Sequence, residues 1–199
     1  MSKPILASLL AVLTLCACDK PNDPEPSRNW AALVAWDQAS GDFLVDGRPA
    51  AVVKAWDFAK GPVEVQTPNA VSRHVAGEGL DVSSVAPDAR LRIPLNLRGS
   101  EASLVVVRLT RVKAGAGWDG ALYYVTRRHG EAPAFMSFPG DPAAPLAGVP
   151  VVLVYDMKDL PAGGGDWMRS MIEHVRLDLD KEAGGEVVIH QIALVREPI

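Results

Sequence analysis

The sequence predicts an all-β fold, an antiparallel β-sandwich or jelly roll, and three observations support this class. Short runs rich in β-branched and aromatic residues alternate with turns rich in Gly, Pro and Asp. From residue 50 onward, no long segment repeats apolar residues at the helical period of 3.6. The last two runs alternate apolar and polar residues and are joined by the turn sequence KEAGG, which is typical of a hairpin.

The size and charge of the chain limit the classes of function. Its 199 residues suit one domain, or at most two small ones, and a hydrophobic fraction of 48% is enough for a core. The formal net charge is -4 and the pI is about 5.6. The chain therefore lacks the basic field that a nucleic-acid surface needs, and we expect no nucleic-acid partner.

The first 17 residues, MSKPILASLLAVLTLCA, have the composition of an export signal. Lys3 precedes an apolar stretch that is too short to span a membrane but fits the h-region of a signal peptide. The sequence Leu-Cys-Ala-Cys that ends at Cys18 resembles the lipobox of bacterial lipoproteins. This resemblance implies cleavage before Cys18 and lipidation of its thiol. The alternatives are an ordinary signal peptide with a chance cysteine, or a buried core helix.

Residues 18–29 are predicted to combine the lipidated cysteine with an extended tether. The segment DKPNDPEPSRN has three prolines and no apolar residue, so it cannot contribute to a core. The resemblance implies a protein of the bacterial cell envelope that is lipid-anchored to a membrane and faces the periplasm. Asp19 resembles an inner-membrane retention signal, but Lys20 departs from its strongest form, so the choice between inner and outer membrane stays open.

Strand-like runs make up most of the chain after this tether. Residues 30–38 fit either a short helix or a strand, and the segment 30–49 is left unassigned. The predicted strands span residues 63–67, 79–83, 90–97, 103–112, 121–128, 150–156, 172–180 and 186–196.

Three of these runs carry further expectations. Pro94 lies within an alternating run, so that strand should be an edge strand or a bulged one. Residues 150–156 are apolar on both faces, which favours a central position in a sheet. In the last run, the apolar phase slips at His190 and Gln191, as a β-bulge would cause.

The region 50–199 resembles the galactose-binding-like β-jelly roll that many carbohydrate-binding modules share. The resemblance rests on VVLVYDM, the loop GGGDWMRSM, the strand IEHVRLDLD and the final strand EVVIHQIALV, with His190 where the family often has Asp. The stretch WDGALYYVT resembles a central hairpin of that family, and WDF at 56–58 resembles its entry strand. The resemblance implies a non-catalytic module that binds carbohydrate.

Aromatic and arginine side chains are the residues that such a module would use for a sugar. The candidates are Trp118 and Trp167 in glycine-rich loops, with Tyr124, Arg127 and Arg176 on neighbouring strands. Tyr123 and Tyr124 must point to opposite faces, so at most one of them faces solvent. The competing interpretation places the loop tryptophans over the core as lids and the arginines on an outward face that keeps the sheet soluble.

No catalytic or metal-binding motif stands out in the sequence, and we expect neither an enzyme nor a cofactor. The histidines lack the spacing of a zinc site, and no nucleophile elbow or phosphate loop is present. Asp178, Asp180 and Glu186 leave a structural calcium ion open, although a D-x-D-x-D-G loop is lacking.

Two functions follow from these expectations. The first is a lipoprotein anchored in the membrane through Cys18, whose jelly roll binds carbohydrate or an envelope glycan. The alternative is a structural or assembly lipoprotein that uses the sandwich as a docking surface for an envelope protein.

Overall fold

A computed structural model of the chain describes residues 28–198. The predicted signal peptide, the predicted lipidation site Cys18 and the predicted tether up to residue 27 lie outside the described residues. Among the residues that are described, no helix has both the length and the apolar character needed to cross a membrane.

Strands make up most of the described chain, which also has two four-residue α-helices, α1 (Trp30–Leu33) and α2 (Asp166–Arg169), and two 3₁₀ turns at Gly99–Glu101 and Pro133–Phe135. The strands in chain order are β1 (Val34–Asp37), β2 (Asp42–Val45), β3 (Arg48–Pro49), β4 (Ala51–Asp57), β5 (Ala70–Val75), β6 (Gly79–Ser84), β7 (Arg90–Arg98), β8 (Leu104–Lys113), β9 (Leu122–Thr126), β10 (Met136–Ser137), β11 (Pro150–Asp156), β12 (Met171–Asp178) and β13 (Glu186–Arg196).

Two large sheets form a sandwich. The smaller sheet has the strand order β10-β9-β12-β7, and the larger one runs β11-β8-β13-β6-β5, with β4 pairing the second half of β13. Every pairing between these strands is antiparallel. The structure therefore confirms the predicted antiparallel β-sandwich.

The core lies between the inner faces of the two sheets and follows from the alternation of each strand. Leu91, Ile93 and Leu95 of β7 pack with alternate residues of β12 and β9 from the same sheet. Val105, Val107 and Leu109 of β8 face them from the larger sheet. All six side chains are buried.

A separate layer covers the opposite, outer face of the larger sheet. We call it the N-terminal cap; it comprises residues 30–49, in which α1 is followed by the three-stranded antiparallel sheet β1-β2-β3. Trp30, Val34, Phe43 and Val45 of the cap are buried against outward-facing residues of the larger sheet: Leu104, Val106, Val154, Ala193 and Val195. The undecided stretch 30–38 thus forms a helical turn and then a strand.

The cap explains one wrong prediction. Strand β11 is an edge strand of the larger sheet and not a central one. Its two apolar faces arise because Leu153 and Tyr155 face the sandwich core, whereas Val154 faces the cap. A double-sided apolar strand therefore indicates burial on both faces and says nothing about its place in the strand order.

Two local predictions are confirmed. Strand β7, which contains Pro94, is an edge strand of the smaller sheet. The pairing of β13 with β8 shifts register between Ile189 and Gln191, so the phase slip in the sequence is a β-bulge.

Candidate functional site

The outer face of the smaller sheet is not covered by the cap and carries polar side chains. Alternation turns Leu91 and Ile93 of β7 into the core, so Arg92 and Pro94 point outward. On β12 and β9 the same rule places Arg176 and Tyr123 on this face. This face therefore presents polar side chains to solvent on paired, ordered strands.

A groove of about 520 Å³ lies on this outer face, and we call it the outer groove. This volume falls within the range of about 300–1,000 Å³ that is typical of ligand sites. The lining residues come from β7, β9, β12 and two loops: Glu64, Val65, Gln66, Arg92, Pro94, Val125, Gly130, Glu131, Glu173 and His174. Gln66 is held there because its segment pairs with Arg92 at the edge of β7.

A network of ion pairs fixes the side chains at one end of the outer groove. Glu131, from the loop between β9 and β10, accepts hydrogen bonds from Arg92 Nε at 2.9 Å and Arg176 Nη1 at 2.7 Å. Arg90 Nη1 lies 3.6 Å from the same carboxylate. Arg176 also donates to Asp178 at 2.5 and 2.6 Å and to Asp88 at 2.9 Å.

Burial and the arginines act in opposite directions on the carboxylates of this network. Burial alone would raise the pKa of Glu131, but hydrogen bonds and charge from Arg176 and Arg92 outweigh it, and the pKa is lowered. Burial dominates at Asp178 and raises its pKa to about 6 despite Arg176. Burial also raises the pKa of the Tyr123 phenol, whose ring lies 4.8 Å from the Arg176 guanidinium carbon.

The loop that carries Glu131 is anchored a second time through His129. His129 Nε2 lies 3.0 Å from Asp166 Oδ2, and the imidazole stacks on Phe135 with ring centroids 3.4 Å apart. The Tyr124 hydroxyl donates to the same Asp166 oxygen at 3.0 Å. Burial works to raise the pKa of Asp166, but the hydrogen bonds from His129 and Tyr124 lower it.

Two of the residues that the sequence suggested for ligand contact belong to the core instead. Trp167 and Tyr124 are both 0% exposed. The Trp167 indole donates to the carbonyls of Ala102 at 2.8 Å and Gly99 at 3.1 Å, which holds it over the end of the sandwich. Neither ring presents a face to a ligand, because each is packed on all sides.

Trp118 is half-buried and lies away from the outer groove. Its ring packs against the core, over Gly120, with the Arg111 guanidinium carbon 5.3 Å from the ring centroid. Arg111 in turn forms a buried ion pair with Asp180. Trp118 thus covers a buried charge pair, which corresponds to the lid that the sequence left as the competing interpretation.

The two predicted arginines have different environments. Arg127 is largely exposed, with a long 3.6 Å contact to Glu173. Arg176 lies behind Glu131 in the ion-pair network, with only 12% of its side chain exposed. Of the five residues predicted to bind a ligand, Arg176 is hydrogen-bonded to Glu131 in the lining of the outer groove, and Arg127 reaches the groove only through its long contact with Glu173.

Sequence reasoning missed the main residues of the groove. The alternation Leu91, Ile93, Leu95 already assigned Arg92 to the other face, so Arg92 could have been found. Choosing between Tyr123 and Tyr124 required knowledge of which face lies inward. Glu131 sits in a loop without a motif, and nothing in the sequence indicates that it reaches three arginines.

Two of the three acidic residues considered for calcium, Asp178 and Asp180, are already paired with arginines. Asp178 pairs with Arg176, and Asp180 pairs with Arg111, so a guanidinium group occupies the cationic position beside each. Within residues 28–198, no group of three or more His, Cys, Asp or Glu side chains is arranged to hold a metal ion.

Comparison with known proteins gives structural likeness only. No family model and no curated sequence matches the chain. Among solved structures, the family 29 carbohydrate-binding module from Piromyces equi has 5% identity and a TM-score of 0.48, and covers 74% of this chain and 89% of its own.

Two further solved structures resemble this chain with TM-scores that are also below 0.5. The second N-terminal cellulose-binding domain of a Cellulomonas fimi β-1,4-glucanase has 17% identity and a TM-score of 0.47, with 75% and 95% coverage. The xylan-binding module from Roseburia intestinalis has 12% identity and a TM-score of 0.43, with 72% and 95% coverage. At these values no residue correspondence is drawn, and the fold assignment rests on the sheets described above.

Proposed function

We propose that this chain is a non-catalytic carbohydrate-binding module that holds a glycan in the outer groove. The observation that carries the proposal is an open groove of about 520 Å³ on the uncovered face of a β-sandwich, lined by planar polar side chains. Gln66, Arg92 and His174 offer amide, guanidinium and imidazole groups that can hydrogen-bond sugar hydroxyls.

The rigidity of this face also supports the proposal. The outward-facing side chains stand on β7, β9 and β12, which are paired along their lengths. The ion pairs around Glu131 hold Arg92 and Arg176 before any ligand arrives. Side chains that are already ordered lose less entropy on binding, and this favours recognition of a flexible, hydroxyl-rich ligand.

The test compares groove variants with a matched control in native affinity gels that contain soluble polysaccharides. We expect migration of the full-length protein to be retarded by at least one polysaccharide. Gln66→Ala combined with His174→Ala should reduce that affinity about thirtyfold, since each of the two lost hydrogen bonds contributes about 1 kcal/mol. Gln38→Ala, an exposed glutamine at the cap, should leave it unchanged.

The result that would overturn this function is equally direct. If no polysaccharide retards the protein, or if the Gln38 variant weakens binding as much as the groove variants do, the outer groove is not a glycan site. Co-purification of an envelope protein after crosslinking would then favour the docking function.

We further propose that the module is held at a bacterial membrane by lipid on Cys18. The support is the sequence resemblance to a lipobox, followed by a proline-rich segment that ends where the described chain begins. A single lipid chain binds a membrane only weakly, whereas two or more chains on Cys18 would anchor the protein stably. Cys18→Ser should move the protein from the membrane fraction to the soluble fraction, and unchanged fractionation would refute the anchor.

A further inference from the structure

Three arginines converge on a single carboxylate at the end of the outer groove. We call Arg90, Arg92 and Arg176 the arginine cluster. Arg92 approaches Glu131 Oε1 through Nε at 2.9 Å and Nη2 at 2.8 Å, and Arg176 Nη1 approaches Oε2 at 2.7 Å. Two nitrogens of Arg92 thus contact one carboxylate oxygen and Arg176 contacts the other, so both oxygens are engaged.

The choice of arginine goes beyond what solubility requires. An outward-facing sheet needs only hydrated charges, and lysine or glutamate would supply them. Arginine at three positions on two adjacent strands instead supplies fixed, planar donors that match a carboxylate. Strands β7 and β12 are directly paired, with Arg92 opposite Arg176, so the cluster is a rigid receptor.

The carboxylate in this receptor comes from a loop and not from the sheet. Glu131 lies in the segment between β9 and β10, whereas all members of the arginine cluster stand on strands. Arg92 and Glu131 also line the outer groove itself, and Arg92 retains 32% side-chain exposure there. A ligand in the groove would therefore meet the cluster at Arg92, beside the position that Glu131 occupies.

We propose that the arginine cluster is a carboxylate subsite, occupied by Glu131 in the free protein, and that the ligand of the groove is an anionic glycan whose uronate replaces Glu131. This inference rests on the proposed glycan-binding function and names its ligand class. Replacing one carboxylate by another leaves the local charge unchanged, so the arginines do not lose their counter-ion during the exchange.

The nearby charges are consistent with such an exchange. The groups that face the cluster are Asp88, Asp178, Glu131 and, at 3.8 Å from Glu131, His174. The carboxylates of Asp88 and Asp178 neutralise the charge of two of the three guanidinium groups. The third guanidinium group is neutralised by Glu131 or by a ligand carboxylate. A neutral sugar has no group that could take this place.

The experiment measures binding of hexagalacturonate and of its full methyl ester to the full-length protein by calorimetry. Glu131→Gln removes the internal competitor while retaining its shape. We expect this variant to bind hexagalacturonate about tenfold more tightly than the unmodified protein, with no change for the methyl ester. Adding Arg92→Lys keeps the positive charge but removes the planar pair of guanidinium donors. The double variant should therefore lose the increase in affinity for hexagalacturonate.

Glu197→Gln is the matched control, because Glu197 is also an ion-paired glutamate, 3.0 Å from Lys158, but does not line the outer groove. It should not change the affinity for hexagalacturonate. Thermal unfolding of each variant checks that the fold is retained. If Glu131→Gln is unstable, the unmodified protein provides a second measurement, since added salt should weaken hexagalacturonate binding and leave the ester unaffected.

The outcomes separate this inference from the proposed function. If Glu131→Gln leaves hexagalacturonate binding unchanged or weaker, the carboxylate subsite is refuted, although binding of neutral glycan through Gln66 and His174 can still stand. If neither the uronates nor any neutral polysaccharide binds to any variant, the proposed function falls and this inference falls with it.

Discussion

The two outer faces of the sandwich differ in composition and in what lies on them. Part of the outer face of the larger sheet, including Val106, Val154 and Val195, is buried under the N-terminal cap. The outer face of the smaller sheet carries Arg92, Arg176 and other charged side chains and opens as a groove. One face has become a second core and contributes stability, and the other is left available for a ligand.

This contrast shows how a single fold separates stability from binding. Burial of apolar surface under the cap contributes roughly 25 cal/mol per Å². The ion pairs on the open face contribute much less, because partly exposed charges are screened by water. Substitutions on the two faces should therefore differ strongly in their effect on stability.

The largest effect is expected from a substitution in the cap. Phe43→Ala removes a ring that is 1% exposed and packs edge-on against Trp36, and should lower the free energy of unfolding by about 3–5 kcal/mol. Tyr123→Ala, an aromatic residue on the open face, should cost about 1 kcal/mol or less. Urea denaturation measures the free energy of unfolding of both variants. Equal losses would contradict the claim that the capped face contributes more stability than the open face.

The intermediate effect concerns pH and the open face. The pKa of Asp178 is raised by burial from 3.8 to about 6 in the folded state. The folded protein then holds a proton that the unfolded chain has lost. The stability contributed by this group is full below about pH 4 and is lost as the pH rises through about 6. The loss is on the order of 3 kcal/mol.

Asp178→Asn should flatten the stability profile between pH 4 and 6, as measured by urea denaturation at a series of pH values. Asp166→Asn serves as the control, because the pKa of Asp166 is lowered and its contribution is lost only as the pH falls. An unchanged slope in the Asp178 variant would contradict the assignment.

The smallest effect is expected at the rim of the open face. Arg127→Ala removes an exposed side chain whose contact with Glu173 is 3.6 Å, so the free energy of unfolding should change by no more than about 0.5 kcal/mol. Glycan affinity should also stay the same, although the sequence suggested this residue as a ligand contact. A clear loss of affinity would extend the binding surface beyond the outer groove.

The sequence predicted the sandwich because alternation within strands such as β7 and β8 is a local property. It could not predict the position of β11, since burial by the cap and burial within a sheet produce the same apolar pattern. The cap itself depends on contacts between Phe43 and residues more than 60 positions away, such as Leu104 and Val195. Such contacts have no signature in a single sequence.

The site was harder to predict than the fold for a related reason. Trp118 and Trp167 attracted attention because aromatic residues in glycine-rich loops are common in binding sites. The structure shows that Trp167 instead closes the core, because its indole finds two backbone acceptors there. The groove is built from Arg92, Glu131 and other polar residues whose proximity results from strand pairing and loop position.

The position of the cap also limits how the groove can be oriented. The described chain starts at Arg28, next to Trp30 on the capped side, whereas the outer groove opens on the other side of the sandwich. Ten residues from Cys18 to Arg28 span at most about 36 Å. A domain of this size is on the order of 40 Å across. If Cys18 carries lipid, a tether of this length keeps the capped side of the sandwich near the bilayer, and the outer groove then collects ligands from the aqueous side.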